Sequence, residues 1–191
     1  MNATPHAPAA AGYGSVAKLF HWIMFLIIAG LFPLGYIMAD MEFSPQKLQL
    51  YSWHKSFGTV IFFLAALRLA WRYYHPPPPA STGTPRSERV AAGAVHALLY
   101  VCLFALPVSG WLMSSASGFP VVVFRTWQLP NLVSTDEPLR IALFNTHLGI
   151  GIFLLTLFVV HVAAAMYHHL VRHDDILARI LPFKTHRRTN K

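Results

Sequence analysis

Residues 141–171 read IALFNTHLGIGIFLLTLFVVHVAAAMYHHLV, 31 residues without one Asp, Glu, Lys or Arg. A helix needs about 20 apolar residues to cross the hydrocarbon core of a bilayer. This run is long enough, and it decides the fold class. Working outward, Val90–Phe124 is free of these charges over 35 residues and Leu19–Ala39 over 21. The stretch 50–74 is less apolar, with Arg68 and Arg72 in its last turns, where long cationic side chains can reach the interface. The sequence predicts an all-α fold, a four-helix transmembrane bundle with helices over 15–39, 50–74, 89–114 and 140–171. Residues 1–14 and 172–191 flank this single domain as tails, the second of them basic.

Composition agrees with a membrane chain. Of the 191 residues, 55% are hydrophobic and 12% charged, against about 25% charged in an ordinary soluble domain. That excludes a soluble enzyme, a disordered chain and a disulfide-stapled secreted domain. The lone Cys102 cannot form an internal disulfide. Pro76–Pro79 and Ser81–Pro85 cannot continue a helix and predict a loop between the second and third helices. Pro33 and Pro107 fall inside helices, where neighbouring helices tolerate a kink. The first apolar run lacks a small-residue cleavage site and reads as helix one, not as a signal peptide.

The basic residues set an orientation. Lys18, Arg68, Arg72, Arg86, Arg89, Arg172, Arg179, Lys184, Arg187, Arg188 and Lys191 fall on the side of the termini, 11 in all, against Lys47, Lys55, Arg125 and Arg140 on the other. The positive-inside rule then predicts a multi-pass membrane protein with both termini in the cytoplasm. The net charge of +8 is a topology signal that favours anionic lipid headgroups. No nucleic-acid motif accompanies it, and no nucleic-acid partner is expected.

Histidine is the unusual feature, with 11 copies. Ionisable side chains inside membrane helices are costly and usually functional. His147 and His161 are 14 residues apart, so at about 100° per residue they share one helix face, about 21 Å apart in height. By depth, His21 matches His161 near the cytoplasmic side and His54 matches His147 near the outer side. One histidine alone is more often a packing or interfacial residue; four that agree in depth suggest paired axial ligands. Haem is the flat cofactor that fits, since histidine is a standard axial ligand of its iron. The chain lacks Cys-x-x-Cys-His, which points to two non-covalent b-type haems. Gly58, Gly149, Gly151 and Ala163–Ala165 would let a porphyrin approach the backbone. His96 is as readily a packing residue as one beside a quinone or a haem propionate. His168 and His169 sit at an interface, where a quinone contact is the sharper reading, and His6, His75, His173 and His186 fall in tails or loops. Trp22, Trp53, Trp71, Trp111 and Tyr51 lie near helix ends, as an aromatic belt does.

Five segments carry a family resemblance: Lys18-Leu-Phe-His-Trp22, Trp53-His-Lys-Ser-Phe-Gly58, Leu106-Pro-Val-Ser-Gly-Trp111, Thr146-His-Leu-Gly149 and His161-Val-Ala-Ala-Ala-Met-Tyr-His-His169. Their order and spacing, from about Tyr13 to Pro182, resemble the bacterial cytochrome b561 family. The resemblance implies two b haems whose axial ligands and iron-binding residues are His21, His54, His147 and His161. It implies electron transfer from superoxide at the periplasmic face to ubiquinone, with His96 and His168 near the quinone. On the outer side the four basic residues are matched by Asp40, Glu42, Asp136 and Glu137, so steering of an anionic donor depends on how these charges cluster. A second expectation is a cytochrome b subunit that docks a periplasmic dehydrogenase or hydrogenase through the outer segment 114–140. A third, a proton path without haem, does not require histidines paired by height.

Overall fold

The computed structural model describes residues 12–79 and 83–182. The expected tails and the Ser81–Pro85 loop therefore lie partly outside the described residues, as do His6 and His186.

Among the described residues the chain forms five helices and one small hairpin. These are α1 (Ser15–Asp40), α2 (Pro45–Tyr74), α3 (Arg86–Ala116), β1 (Val122–Val123), β2 (Trp127–Gln128), α4 (Glu137–Leu170) and α5 (Ile176–Ile180). Three of them, α1, α3 and α4, are long and apolar enough to cross a membrane. The expected four-helix transmembrane bundle is thereby corrected. The helix over 45–74 has the length, at 30 residues, but not the apolarity. Lys47, Lys55, Arg68 and Arg72 interrupt it, and its first half is further diluted by Gln46, Gln49, Ser52 and His54. It is a packed helix of an all-α membrane protein with three candidate spans. The fold itself gives no evidence for the two expected haems: among the described residues no cluster of three or more His, Cys, Asp or Glu could hold a metal ion.

Local chemistry explains the boundaries. Ser44 caps α2 by accepting a hydrogen bond from Lys47 N at 3.2 Å, with Pro45 in the first turn, a combination that starts helices because it satisfies an orphan amide and pre-sets φ. Asp136 caps α4 in the same way, accepting from Leu139 N at 2.8 Å, with Pro138 following. Pro33 and Pro107 both lie inside helices, as expected.

The core is thin, as suits a protein solvated by lipid. Met24, Ile61, Ala65 and Leu103 join α1, α2 and α3. Cys102, Leu154 and Leu157 join α3 and α4. Val121, Val123 and Leu129 form a third cluster under the hairpin with Trp111. Most other large apolar side chains, among them Leu26, Val101, Ile152 and Val159, are exposed.

The two ends of the bundle differ. At one end the backbone N–H of Tyr13 donates to Arg179 O at 3.2 Å, and Trp22 Nε1 donates to Ile180 O at 2.9 Å. The start of α1 and α5 therefore meet there, at what we call the terminal end. At the other, the hairpin end, β1 and β2 pair antiparallel through Val122 with Gln128 and Val123 with Trp127. The hairpin is fastened to the start of α2, because Phe124 N donates to Ser56 Oγ at 2.9 Å and Lys55 Nζ donates to Phe119 O at 3.2 Å.

Candidate functional site

The structure brings the four sequence-selected histidines together as two pairs. At the terminal end the rings of His21 (α1) and His161 (α4) have centroids 6.2 Å apart at an interplanar angle of 60°. At the hairpin end those of His54 (α2) and His147 (α4) are 6.3 Å apart at 68°. Two metal–imidazole bonds of about 2.0 Å plus about 1.1 Å from nitrogen to ring centre on each side put the centroids of a bis-histidine site about 6 Å apart. Both pairs therefore have the spacing that an iron atom between them requires. His96 (α3) also approaches His161, at 5.2 Å and an interplanar angle of 67°, which is shorter than the separation across a linear two-imidazole site.

Glycine and serine shape the hairpin-end pair. A Cβ on Gly110 would lie 3.0 Å from Cε1 of His147, and one on Gly35 3.2 Å from Cε1 of His54. Each imidazole thus packs tightly against a glycine, and a Cβ there would require the ring to give by a few tenths of an ångström. Ser109 Oγ donates to Leu106 O at 2.8 Å and lies 3.0 Å from Nδ1 of His147. Having spent its proton on the carbonyl, the hydroxyl accepts from Nδ1–H, which leaves Nε2 of His147 with its lone pair free. Nδ1 of His54 is buried with no hydrogen-bond partner.

The terminal-end pair opens into a cavity of about 380 Å³, within the size range of cofactor sites. His21, His96 and His161 line it together with Phe25, Leu99, Leu103 and Phe158, and Tyr13 and α5 contribute to its wall. Arg68 and Arg72 also line it, and Arg68 Nη2 donates to Nδ1 of His21 at 3.2 Å. Sequence reasoning sent both arginines to the membrane interface. Their position three and seven residues after Ala65 gave no sign that Arg68 turns inward.

The remaining histidines fall elsewhere. His168 is absent from the cavity wall and stands between two carboxylates, Nδ1 2.5 Å from Asp174 Oδ2 and Nε2 4.0 Å from Glu88 Oε2. His169 is exposed. His75 stacks on Trp71 at 3.9 Å and reaches the cavity rim. Of the small residues expected to admit a flat ligand, Gly58 and Gly149 face open space, and Ala165 lies on the cavity wall. The two glycines that touch histidine, Gly35 and Gly110, were not singled out for that role, although Gly110 lies in the Leu106–Trp111 segment.

Paired imidazoles set into apolar helices mark the class of helical membrane oxidoreductases. Comparison with known proteins makes the assignment specific. Residues 12–183 match the family described as prokaryotic cytochrome b561, and the chain belongs to that family. It is 32% identical over 176 residues to cytochrome b561 homolog 2 of Escherichia coli (strain K12), covering 88% of this chain and 90% of that protein. Cytochrome b561 homolog 1 of the same organism is 26% identical, with 85% and 92% covered. A probable superoxide oxidase CybB of Yersinia pestis is 24% identical, with 86% and 92% covered. The protein is thus a multi-pass bacterial inner-membrane protein of the oxidoreductase class.

Proposed function

We propose that the protein carries two b-type haems and passes electrons across the membrane from superoxide at the periplasmic face to ubiquinone. The observation that carries this reading is the pair of centroid separations, 6.2 Å for His21 with His161 and 6.3 Å for His54 with His147, at two heights along α4. His21 and His161 would hold one iron and His54 and His147 the other. Bound haem supplies one-electron chemistry at iron. Held by two imidazoles, the group would favour electron transfer over oxygen binding.

The protein's own groups bind and steer. The terminal end faces the cytoplasm in this reading, in line with the 11 to 4 distribution of Lys and Arg. The first and last described segments, Tyr13 and α5, meet there. At the periplasmic hairpin end, Arg140 is paired with Glu137 at 2.5 Å. Lys55 and Arg125 instead contact Phe119 O and Gln49, and neither enters an ion pair among the described residues. Like Lys47, which donates to Met41 O, they are cations without a direct counter-ion, and Lys55 and Arg125 stand together at the hairpin, where they would draw in a small anion. The Yersinia pestis relative named as a probable superoxide oxidase supports the choice of donor. Two superoxide anions leave as two dioxygen molecules and give two electrons; ubiquinone takes those and two protons to become quinol. His96 and His168, the second in its carboxylate network, would pass protons from the cytoplasmic side toward a quinone at that end of the bundle.

A second reading, a subunit that docks a periplasmic dehydrogenase or hydrogenase, is favoured by one feature. Phe119, Phe124 and Trp127 of the hairpin segment are exposed together. The deciding experiment is an absorbance spectrum of the purified chain before and after dithionite with a haem-to-protein ratio, followed by stopped-flow mixing with superoxide and then quinone. Two haems per chain, reduced by superoxide and reoxidised by quinone, are expected. A colourless protein overturns the haem reading. A red protein inert to superoxide that co-purifies with an iron–sulfur or molybdenum partner favours docking.

A further inference from the structure

The terminal-end cavity is lined by a half-buried Arg68, with the exposed Arg72 beside it, and by no acid. None of the ion pairs among the described residues includes either arginine. Arg68 is left with Nδ1 of His21 at 3.2 Å and the ring of Tyr100, its centroid 5.9 Å from the guanidinium carbon. A guanidinium does not lose its charge in a protein. Held against apolar walls without a counter-charge, it is costly. The cavity is electrostatically incomplete, and what completes it is an anion brought by the ligand.

The contact with His21 points the same way. A guanidinium has only donors, so Nδ1 of His21 accepts and the ring proton sits on Nε2. In that tautomer the one free lone pair of His21 is the one Arg68 covers. An imidazole binds a metal through a nitrogen with a free lone pair. For His21 to ligate iron, Arg68 must leave the ring, and its charge then needs another partner in the same cavity.

We propose that Arg68, with Arg72 beside it, is the carboxylate-binding residue of this cavity: it releases Nδ1 of His21 and takes an acidic side group of the porphyrin. The inference rests on the haem reading above and adds to it a ligand-selecting function for two residues outside the iron-binding histidines. Two guanidiniums match the two carboxylates of haem b, and arginine suits carboxylate because its donors form a planar fork. Arg68 is thereby a specificity-determining residue that favours a diacid porphyrin over one whose acids are masked.

The test uses the full chain, produced in haem-limited cells, reconstituted in lipid nanodiscs and titrated with haem b or haem b dimethyl ester. A His147→Ala background leaves only the His21–His161 pair competent. Haem b is expected to bind about tenfold or more tighter than its diester, the weight of one charge-assisted hydrogen bond. Arg68→Met should bring the two affinities within about twofold of each other, and Arg68→Lys should restore part of the preference. Biphasic titration of the wild type repeats the comparison without the His147 substitution. Ligand-induced rise in unfolding temperature gives a second readout of the same preference. Equal affinity of the unsubstituted site for both porphyrins, or a preference that survives Arg68→Met together with Arg72→Met, overturns the proposal. Failure of either porphyrin to bind the wild type removes the haem reading and the proposal with it.

Discussion

Ser109 Oγ lies 3.0 Å from Nδ1 of His147 while its own proton goes to Leu106 O, 2.8 Å away. One hydroxyl thus fixes both the tautomer and the rotation of an imidazole donated by another helix. Groups that orient a ligand from behind typically carry about a 10–100-fold effect on metal affinity. Ser109→Ala should therefore weaken the hairpin-end haem by about tenfold or more and leave the terminal-end haem unchanged. Haem titration of the purified variant, with the two sites separated by redox potentiometry, checks this. Equal loss from both sites would mean that the hydroxyl acts on packing in general and not on His147.

Gly110 and Gly35 give the complementary steric test. A methyl on Gly110 would stand 3.0 Å from Cε1 of His147 and one on Gly35 3.2 Å from Cε1 of His54, whereas one on Gly30 or Gly149 would meet nothing within 4 Å. Ala is favoured over Gly in a helix interior by about 1 kcal/mol, so Gly30→Ala and Gly149→Ala should be neutral or stabilising. Gly110→Ala and Gly35→Ala should instead displace a ring and lower occupancy of the hairpin-end haem. Haem-to-protein ratios of the four variants, with thermal unfolding, separate the outcomes.

The histidine pairing was legible in the sequence because helical periodicity is rigid. Fourteen residues bring His161 back under His147 whatever packs around them, and depth then selects His21 and His54. Side-chain direction at a helix end is not fixed in that way. Arg68 could snorkel outward or turn into the bundle, and only the cavity beside His21 decides. The status of α2 was hard for a related reason. Its apolar centre, Val60–Leu67, reads like a span, but the polar side chains on both flanks are accommodated by contacts from other elements, Lys55 with Phe119 O and Arg68 with His21. The β-hairpin gave no signal, since each strand has two residues. Helix α5 is five residues long in a stretch that reads as a basic tail.

The hairpin turn is also strained. Phe124 and Arg125 have φ of 47° and 62°, and Thr126 N donates to Val123 O at 3.0 Å across them. Such turns are normally built from Asn-Gly or Asp-Gly, because the left-handed region costs other residues about 1–2 kcal/mol each. Phe124→Asn with Arg125→Gly should raise the unfolding temperature by removing that cost. On the proposed function it should also slow haem reduction by superoxide, since a hairpin cation without a direct counter-ion is lost. Arg125→Gly alone, compared with Phe124→Asn alone, tells strain from charge: in this reading the rate follows Arg125.

The α4–α5 corner depends on a single carboxylate used twice. Asp174 Oδ2 is 2.5 Å from Nδ1 of His168, and Oδ1 accepts from Ile176 N at 3.1 Å. On the other side of the same imidazole, Glu88 binds Arg172 at 2.9 Å and reaches to 4.0 Å from His168 Nε2. Because α5 and Tyr13 form part of the cavity wall, loosening this corner should expose the cavity before it unfolds the bundle. Asp174→Asn keeps an oxygen for Ile176 N but removes the charge beside His168. Hydrogen exchange should then rise at the amides of α5 while those around Leu154 and Leu157 stay protected, since local openings need far less free energy than global ones. Asp174→Ala, which also deletes the acceptor for Ile176 N, should raise exchange further. If α5 exchanges no faster in either variant, the hydrogen bonds of Trp22 Nε1 to Ile180 O and Tyr13 N to Arg179 O hold the cap on their own, and Trp22→Phe becomes the substitution that frees it.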